Sequence, residues 1–351
     1  MTAQEWQIDG PKVLDVGDEH ERVTKLEVGV VGGRVDVVTH DDSPTARVEV
    51  TSVEGLPVRV KWDGGTLRVI HGKDDDKNIM DMLKRTFETF GKNRVVLSIS
   101  VPVEARATVS SVSAAAVVSG LHNRVKVNSV SGTITVSDVR GGIDLNTVSG
   151  GVEGDALTGP TSINTVSGPV TLQASDLPEV KVNTVSGDIA LDLVSGRSRI
   201  KSNSVSGDVT VRAPFSGFDV EGNTASGQVV VDGRQLTRAA GSHGKHDRGG
   251  RLREGDGALE IKANAVSGSV VVLRSHPVDT QAYPQDRPVT QPVTQPDTQP
   301  VTPPTEQIPR DDTSVLPQDV PPGEHPSDGT DSSDSSDGTD SDSTDSGWTA
   351  R

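Results

Sequence analysis

Cysteine is absent from the 351 residues. That excludes a disulfide framework and any thiolate metal site. Aromatic residues are nearly as scarce, at 2% of the chain. A globule of this length ordinarily buries several large rings. Here the interior has to be filled by small branched side chains, mostly valine, which suits a narrow core repeated many times. Long apolar runs are missing too. No stretch approaches the roughly 20 apolar residues that span a bilayer. The segment Met1 to Gly10 has neither the basic nor the apolar region of a signal peptide. The compartment expected by default is the cytoplasm, with envelope association left open.

A basic excess is also lacking. The formal net charge is -16. From His276 onward there are fifteen Asp or Glu against three Arg, which leaves about -12 in the tail and only about -4 in the rest. No nucleic-acid partner is expected of such a chain.

What the chain does have is an internal repeat. The unit Asn-(Ser/Thr/Ala)-(Val/Ala)-Ser-Gly begins at Asn128, Asn146, Asn164, Asn183, Asn203, Asn223 and Asn264. Successive intervals are 18, 18, 19, 20, 20 and 41 residues, the last being two periods or one period with an insertion. A degenerate copy runs from Ser110 to Ala114. Counting each Asn as zero, positions -3 and -1 are apolar (Val125 and Val127, Val180 and Val182), as are +6 and +8 (Ile134 and Val136, Ile189 and Leu191). Alternation at period two marks half-buried strands. Position +2 is nearly always Val. Taken as inward, it makes the facing flip at Asn-Thr, which predicts a bend and places each Asn at a corner of a coil. Stacked amides there can bond one another. A buried ladder of this kind makes Asn183→Ala cost roughly 1–3 kcal/mol.

The expected fold is therefore all-β: a β-solenoid, right-handed, of about eight coils of 18–20 residues over 106–275. Residues 1–105 read as an antiparallel strand cap, with strands at Lys25–Val31, Arg34–Thr39, Arg47–Val53, Val58–Trp62, Thr66–Ile70 and Arg94–Val101. Within that cap, 78–90 reads as an amphipathic helix carrying Ile79, Met82, Leu83, Phe87 and Phe90 on one face. Residues 276–351, first Pro/Thr/Gln-rich and then Ser/Asp-rich, cannot bury enough apolar surface to fold.

The insertion 233–257 collects Arg234, Arg238, Lys245, Arg248, Arg251 and Arg253. It reads either as a solvated loop or as a site for an anionic ligand or partner. His243, His246 and Asp247 lie within it at a spacing that only weakly suggests a metal. No cofactor is expected. Asp188 and Asp208 share a phase directly after Ser-Gly, which favours a turn role over catalysis. No phosphate loop, zinc motif or nucleophile elbow occurs, so no catalytic residue is assigned.

The repeated Asn-Thr-Val-Ser-Gly-Asp-Val/Ile-x-Leu/Val units resemble the bacterial putative-adhesin, β-strand-repeat family of unknown function, over roughly Leu26 to Leu273. That resemblance implies a β-solenoid with an adhesin-like label and no established catalytic residues. Two roles remain open. One is a non-enzymatic, adhesin-like binding protein for a protein or cell-surface ligand. The other is an intracellular scaffold or regulatory partner that self-associates. A carbohydrate-active enzyme fits least well.

Overall fold

The computed structural model describes residues 3–17, 21–72, 93–236 and 248–275. These lie in the compact unit Met1–Gln281, and a second unit, Ala282–Arg351, falls outside the described residues. The segment 78–90 expected to be helical and the tail expected to be unfolded also lie outside them.

The described chain is all strand. The N-terminal third holds β1 (Gln4–Ile8), β2 (Lys12–Val16), β3 (Lys25–Val30), β4 (Gly33–His40), β5 (Ala46–Glu54), β6 (Val58–Asp63), β7 (Thr66–His71) and β8 (Arg94–Pro102). Two-strand coils follow: β9 (Arg106–Ser111) with β10 (Ala115–Ser119), β11 (Val125–Ser129) with β12 (Ile134–Ser137), and β13 (Ile143–Thr147) with β14 (Val152–Asp155). Next come β15 (Thr161–Ser167) with β16 (Val170–Ser175), β17 (Glu179–Ser186) with β18 (Ile189–Leu193), and β19 (Ser198–Ser206) with β20 (Val209–Ala213). The C-terminal part holds β21 (Phe218–Ser226), β22 (Val229–Val231), β23 (Arg234–Gln235), β24 (Arg248–Glu254), β25 (Leu259–Ser267) and β26 (Val270–Arg274).

Each coil gives one strand to each of two 13-stranded sheets. Register follows the repeat. Val125 pairs with Ile143, Asn146 with Asn164 and Asn183 with Asn203, all in parallel. Positions -3, -1, +6 and +8 are buried and form the core between the sheets. Leu121, Val139, Leu157 and Leu177 fill the third side, where the chain climbs to the next coil. Burying one such Val or Leu contributes roughly 1.5–3 kcal/mol, and each coil does so only against its neighbours.

The N-terminal region is not a purely antiparallel cap. β3 and β4 form a solenoid coil of their own, parallel to β9 and β10. β7 and β8 lie parallel on its other side. Among the described residues of this region, antiparallel pairing is confined to β5 with β8, β6 with β7, β1 with β6 and β2 with β5. Pairing a strand with the solenoid edge covers backbone groups in either direction, so alternation alone did not tell parallel from antiparallel here.

The bend also lies elsewhere than expected. Position +1 (Ser129, Thr147, Thr165, Thr184, Ser204, Thr224) is buried, so alternation runs straight through the Asn. Position +2 points outward: Val148, Val166, Val185, Val205 and Val266 are 47–56% exposed. The chain turns at Ser-Gly. Gly168, Gly187, Gly207 and Gly268 have φ between 124° and 131° or at 135°, and a Cβ at Gly187 would lie 2.2 Å from the Gly168 carbonyl oxygen. Only glycine meets both demands.

Candidate binding face

In β15, β17, β19, β21 and β25 the strand continues through Asn to Ser, and the outer face of the first sheet carries four rows of side chains. The Asn row is a hydrogen-bonded ladder. Asn146 Nδ2 donates to Asn128 Oδ1 at 3.1 Å, Asn164 to Asn146 at 2.9 Å and Asn183 to Asn164 at 2.8 Å. Asn203 donates to Asn183 at 3.0 Å, Asn264 to Asn203 at 3.1 Å and Asn223 to Asn264 at 3.1 Å. The first rung, Asn128, donates to Ser110 Oγ at 3.3 Å. All seven sit on the outer face, half-exposed or exposed, rather than in a buried corner. Each amide keeps a second N–H and a second lone pair for an external partner.

On one side of the ladder runs the exposed valine row. Toward the N-terminal end the same row becomes buried: Val130 is half-buried, and Val112 and Val31 are buried. On the other side, Lys181, Lys201 and Lys262 occupy adjacent strands in direct register. Like charges set opposite one another repel. Lys262 lies 3.8 Å from Glu260, while Lys181 and Lys201 make no ion pair among the described residues. Beyond the lysines, charges neutralise one another. Arg199 bonds Glu260 at 2.9 Å, and its guanidinium holds that carboxyl below the usual range. Arg251 does the same for Asp219. The face therefore presents three unlike bands: lysines, of which Lys181 and Lys201 have no ion pair among the described residues, amides and apolar methyls.

A separate open cleft of about 360 Å³ lies near the N-terminal edge, lined in part by Lys25, Glu27, Lys61 and Arg68. Burial pushes the Glu27 carboxyl up, but hydrogen bonds from Lys25 and Arg68 outweigh this, and its pKa falls below the usual value. With Lys25 at 2.5 Å and Arg68 at 2.7 Å from Glu27, these charges are already satisfied.

Residues 23–273 match the profile of Toastrack DUF4097. The chain belongs to the Toastrack DUF4097 family. No curated protein matches it. Among solved structures, a protein named putative adhesin from Parabacteroides distasonis is 13% identical over 78% of this chain and 97% of its own, with a TM-score of 0.41. One named putative lipid binding protein from the same species is 15% identical over 76% and 99%, with a TM-score of 0.36. One named putative cell adhesion protein from Clostridium sporogenes is 13% identical over 76% and 100%, with a TM-score of 0.23.

The basic insertion of this Toastrack domain is partly strand rather than loop. Arg234 lies in β23 and Arg248, Arg251 and Arg253 in β24. β24 pairs antiparallel with β21, and β23 with β22. Arg234 meets Glu254 at 3.0 Å, and Arg251 meets Asp219. Two of the six cations are thus taken up within the fold. Arg238, Lys245, His243, His246 and Asp247 lie outside the described residues. Asp188 and Asp208 serve turns: Asp188 accepts from the Asp208 N–H at 2.9 Å, and Asp208 accepts from the Ser269 N–H at 2.7 Å. Among the described residues no group of three His, Asp or Glu could hold a metal ion, and no helix is long and apolar enough to cross a membrane.

The valine row was the feature sequence reasoning missed. The signal that could have found it is position +1, which is always small (Ser, Thr or Ala) as a tight interior requires.

Proposed function

We propose that this Toastrack domain is a non-enzymatic, adhesin-like binding protein that engages its ligand through the outer face of the first sheet. The observation that supports this is the placing of Lys181, Lys201 and Lys262 and of Val166, Val185, Val205 and Val266 on either side of the Asn ladder. Neither outer row contributes to the core. The fold holds both at a strand spacing of ~4.8 Å, which suits an extended, repetitive or planar ligand with anionic and apolar parts. Among the described residues this face carries no exposed aromatic side chain, which disfavours a ligand recognised by ring stacking.

The test is cosedimentation of the purified protein with bacterial cell envelopes. The variant V166T/V185T/V205T should keep its melting temperature within a few degrees and lose retention at least tenfold. Retention unchanged by this variant would refute the assignment. Protease shaving of intact cells then separates display from an intracellular role: cleavage supports surface binding, and protection assigns the face to an intracellular partner.

A further inference from the structure

The last coil of the solenoid is out of order. Along the first sheet the strands run β17, β19, β25, β21, β24, and along the second β18, β20, β26, β22, β23. The coil β25–β26 therefore sits between β19–β20 and β21–β22, although it follows both in the chain. It pairs in parallel with each wall. Asn264 is opposite Asn203 on one side and opposite Asn223 on the other. Val270 is likewise opposite Val209 and Val229.

The two walls fit one another as well as they fit the inserted coil. Asn203 and Asn223 are 20 residues apart, the same interval as Asn183 and Asn203. That earlier interval advances the chain by one coil, whereas the later one advances it by two. The connection from β18 to β19 (194–197) and the connection from β20 to β21 (214–217) are both four residues long. Four extended residues reach about 13 Å, enough for a step of one coil (~4.8 Å) or two (~9.6 Å). The turn glycines are equivalent too. A Cβ on Gly268 would lie 2.2 Å from the Gly207 carbonyl oxygen, and one on Gly227 would lie 2.1 Å from that of Gly268. Without β25–β26, Gly227 could take the place of Gly268 against Gly207, and Asn223 could donate to Asn203.

We infer that β25–β26 is an insertable coil: the chain has a second in-register arrangement in which β21–β22 stacks directly on β19–β20, and the gap between them opens to admit Leu259–Arg274. Stacking β21–β22 on β19–β20 closes a 20-residue interval (Asn203 to Asn223), whereas stacking β25–β26 there closes 61 residues (Asn203 to Asn264), so the direct arrangement forms first and insertion is a separate, later step. The turn into β25 runs through Gly255 and Gly257, both at positive φ, and it carries the strand back past β21. This inference concerns assembly of the fold and stands or falls independently of the binding face.

The absence of cysteine makes the test direct. Lys201, Lys262 and Glu221 occupy one outward row in the order β19, β25, β21. Neighbouring strands fall within the Cα separation a disulfide requires, and next-nearest strands do not. In the full-length chain, K201C/K262C should oxidise in the native protein, and K201C/E221C should not. During refolding, pulsed oxidation should trap the K201C/E221C bond at least tenfold above its native level, with the signal decaying as K201C/K262C becomes reactive. In a G268V background, whose side chain collides with Gly207, K201C/E221C should oxidise in the folded protein at equilibrium. Absence of the K201C/E221C bond at every refolding time overturns the inference, whatever the fate of G268V.

Discussion

At the scale of single residues, the ladder and its turns make unequal contributions. Asn183 bonds Asn164 on one side and Asn203 on the other, but it lies on an outer face where water can replace either bond. Asn183→Ala should therefore cost about 0.5–1.5 kcal/mol by urea unfolding, less than a buried ladder would give. A loss above about 3 kcal/mol would mean the amides are shielded from water. Gly187 is a different case. It has φ 135° and a carbonyl oxygen 2.2 Å from any added Cβ, so Gly187→Ala should cost clearly more than about 1 kcal/mol. Gly64 also has positive φ but open space around it; Gly64→Ala should be milder, and equal losses would refute the packing argument. His71 is buried in the inward row, opposite Val58. Burial pushes its pKa below the ordinary 6.5, against the opposing effect of the Leu56 and Glu54 backbone. The unfolded chain thus binds more protons than the folded one as pH falls through 6.5, so stability is full above that value and drains away below it. The shifted acids Asp15, Asp219, Glu27 and Glu260 act only below their ordinary values of 3.8 and 4.5. Between pH 6.5 and about 5 His71 should therefore contribute to the slope, and His71→Gln should make it shallower in urea titrations.

At the scale of strands, facing decides what a substitution does. Ile189 is buried in β18, and Val185 is half-exposed in β17, four residues earlier. Ile189→Ala should cost about 2–5 kcal/mol, and Val185→Thr should stay within about 0.5 kcal/mol. Comparable losses at both sites would return Val185 to the interior. The contrast also shows why the repeat was legible and one of its rows was not. The near-regular spacing of Asn and Gly located the coils from β11 onward, and alternation located the core strands on both sides of the turn, but the β3–β4 coil carries no Asn-x-x-Ser-Gly unit and was not legible as a coil. Valine at +2 carried no such information, because a β-branched residue suits either face of a strand. The parity of a segment crossing a turn is set by how many residues the turn consumes, and the change of facing was read at Asn-Thr when the backbone makes it at Ser-Gly. Of the candidate face, the Asn row was therefore legible by position. Its exposure and its lysine and valine flanks required the register.

At the scale of the whole molecule, the repeat makes stability nearly one-dimensional, with each coil answering only to its neighbours. The ends depart from chain order on both sides: β7–β8 lies outside β3–β4, and β25–β26 lies inside β21–β22. The middle, from β9 to β20, is strictly sequential. Coils in that middle are interchangeable in register, so one of them is removable as a unit. Deleting Thr147–Asn164 takes out 18 residues, one whole period, and joins Asn146 to Thr165. The ladder then runs from Asn146 to Asn183, and both sheets lose one strand without a change of facing. The shortened chain should melt cooperatively, with a urea m-value lower roughly in proportion to the surface lost. Deleting only the nine residues Thr147–Asp155 removes half a coil, sets a first-sheet strand against a second-sheet edge and should abolish the transition. If both deletions behave alike, the coil is not the unit of stability, and neither the ladder nor the insertable last coil can be argued from register.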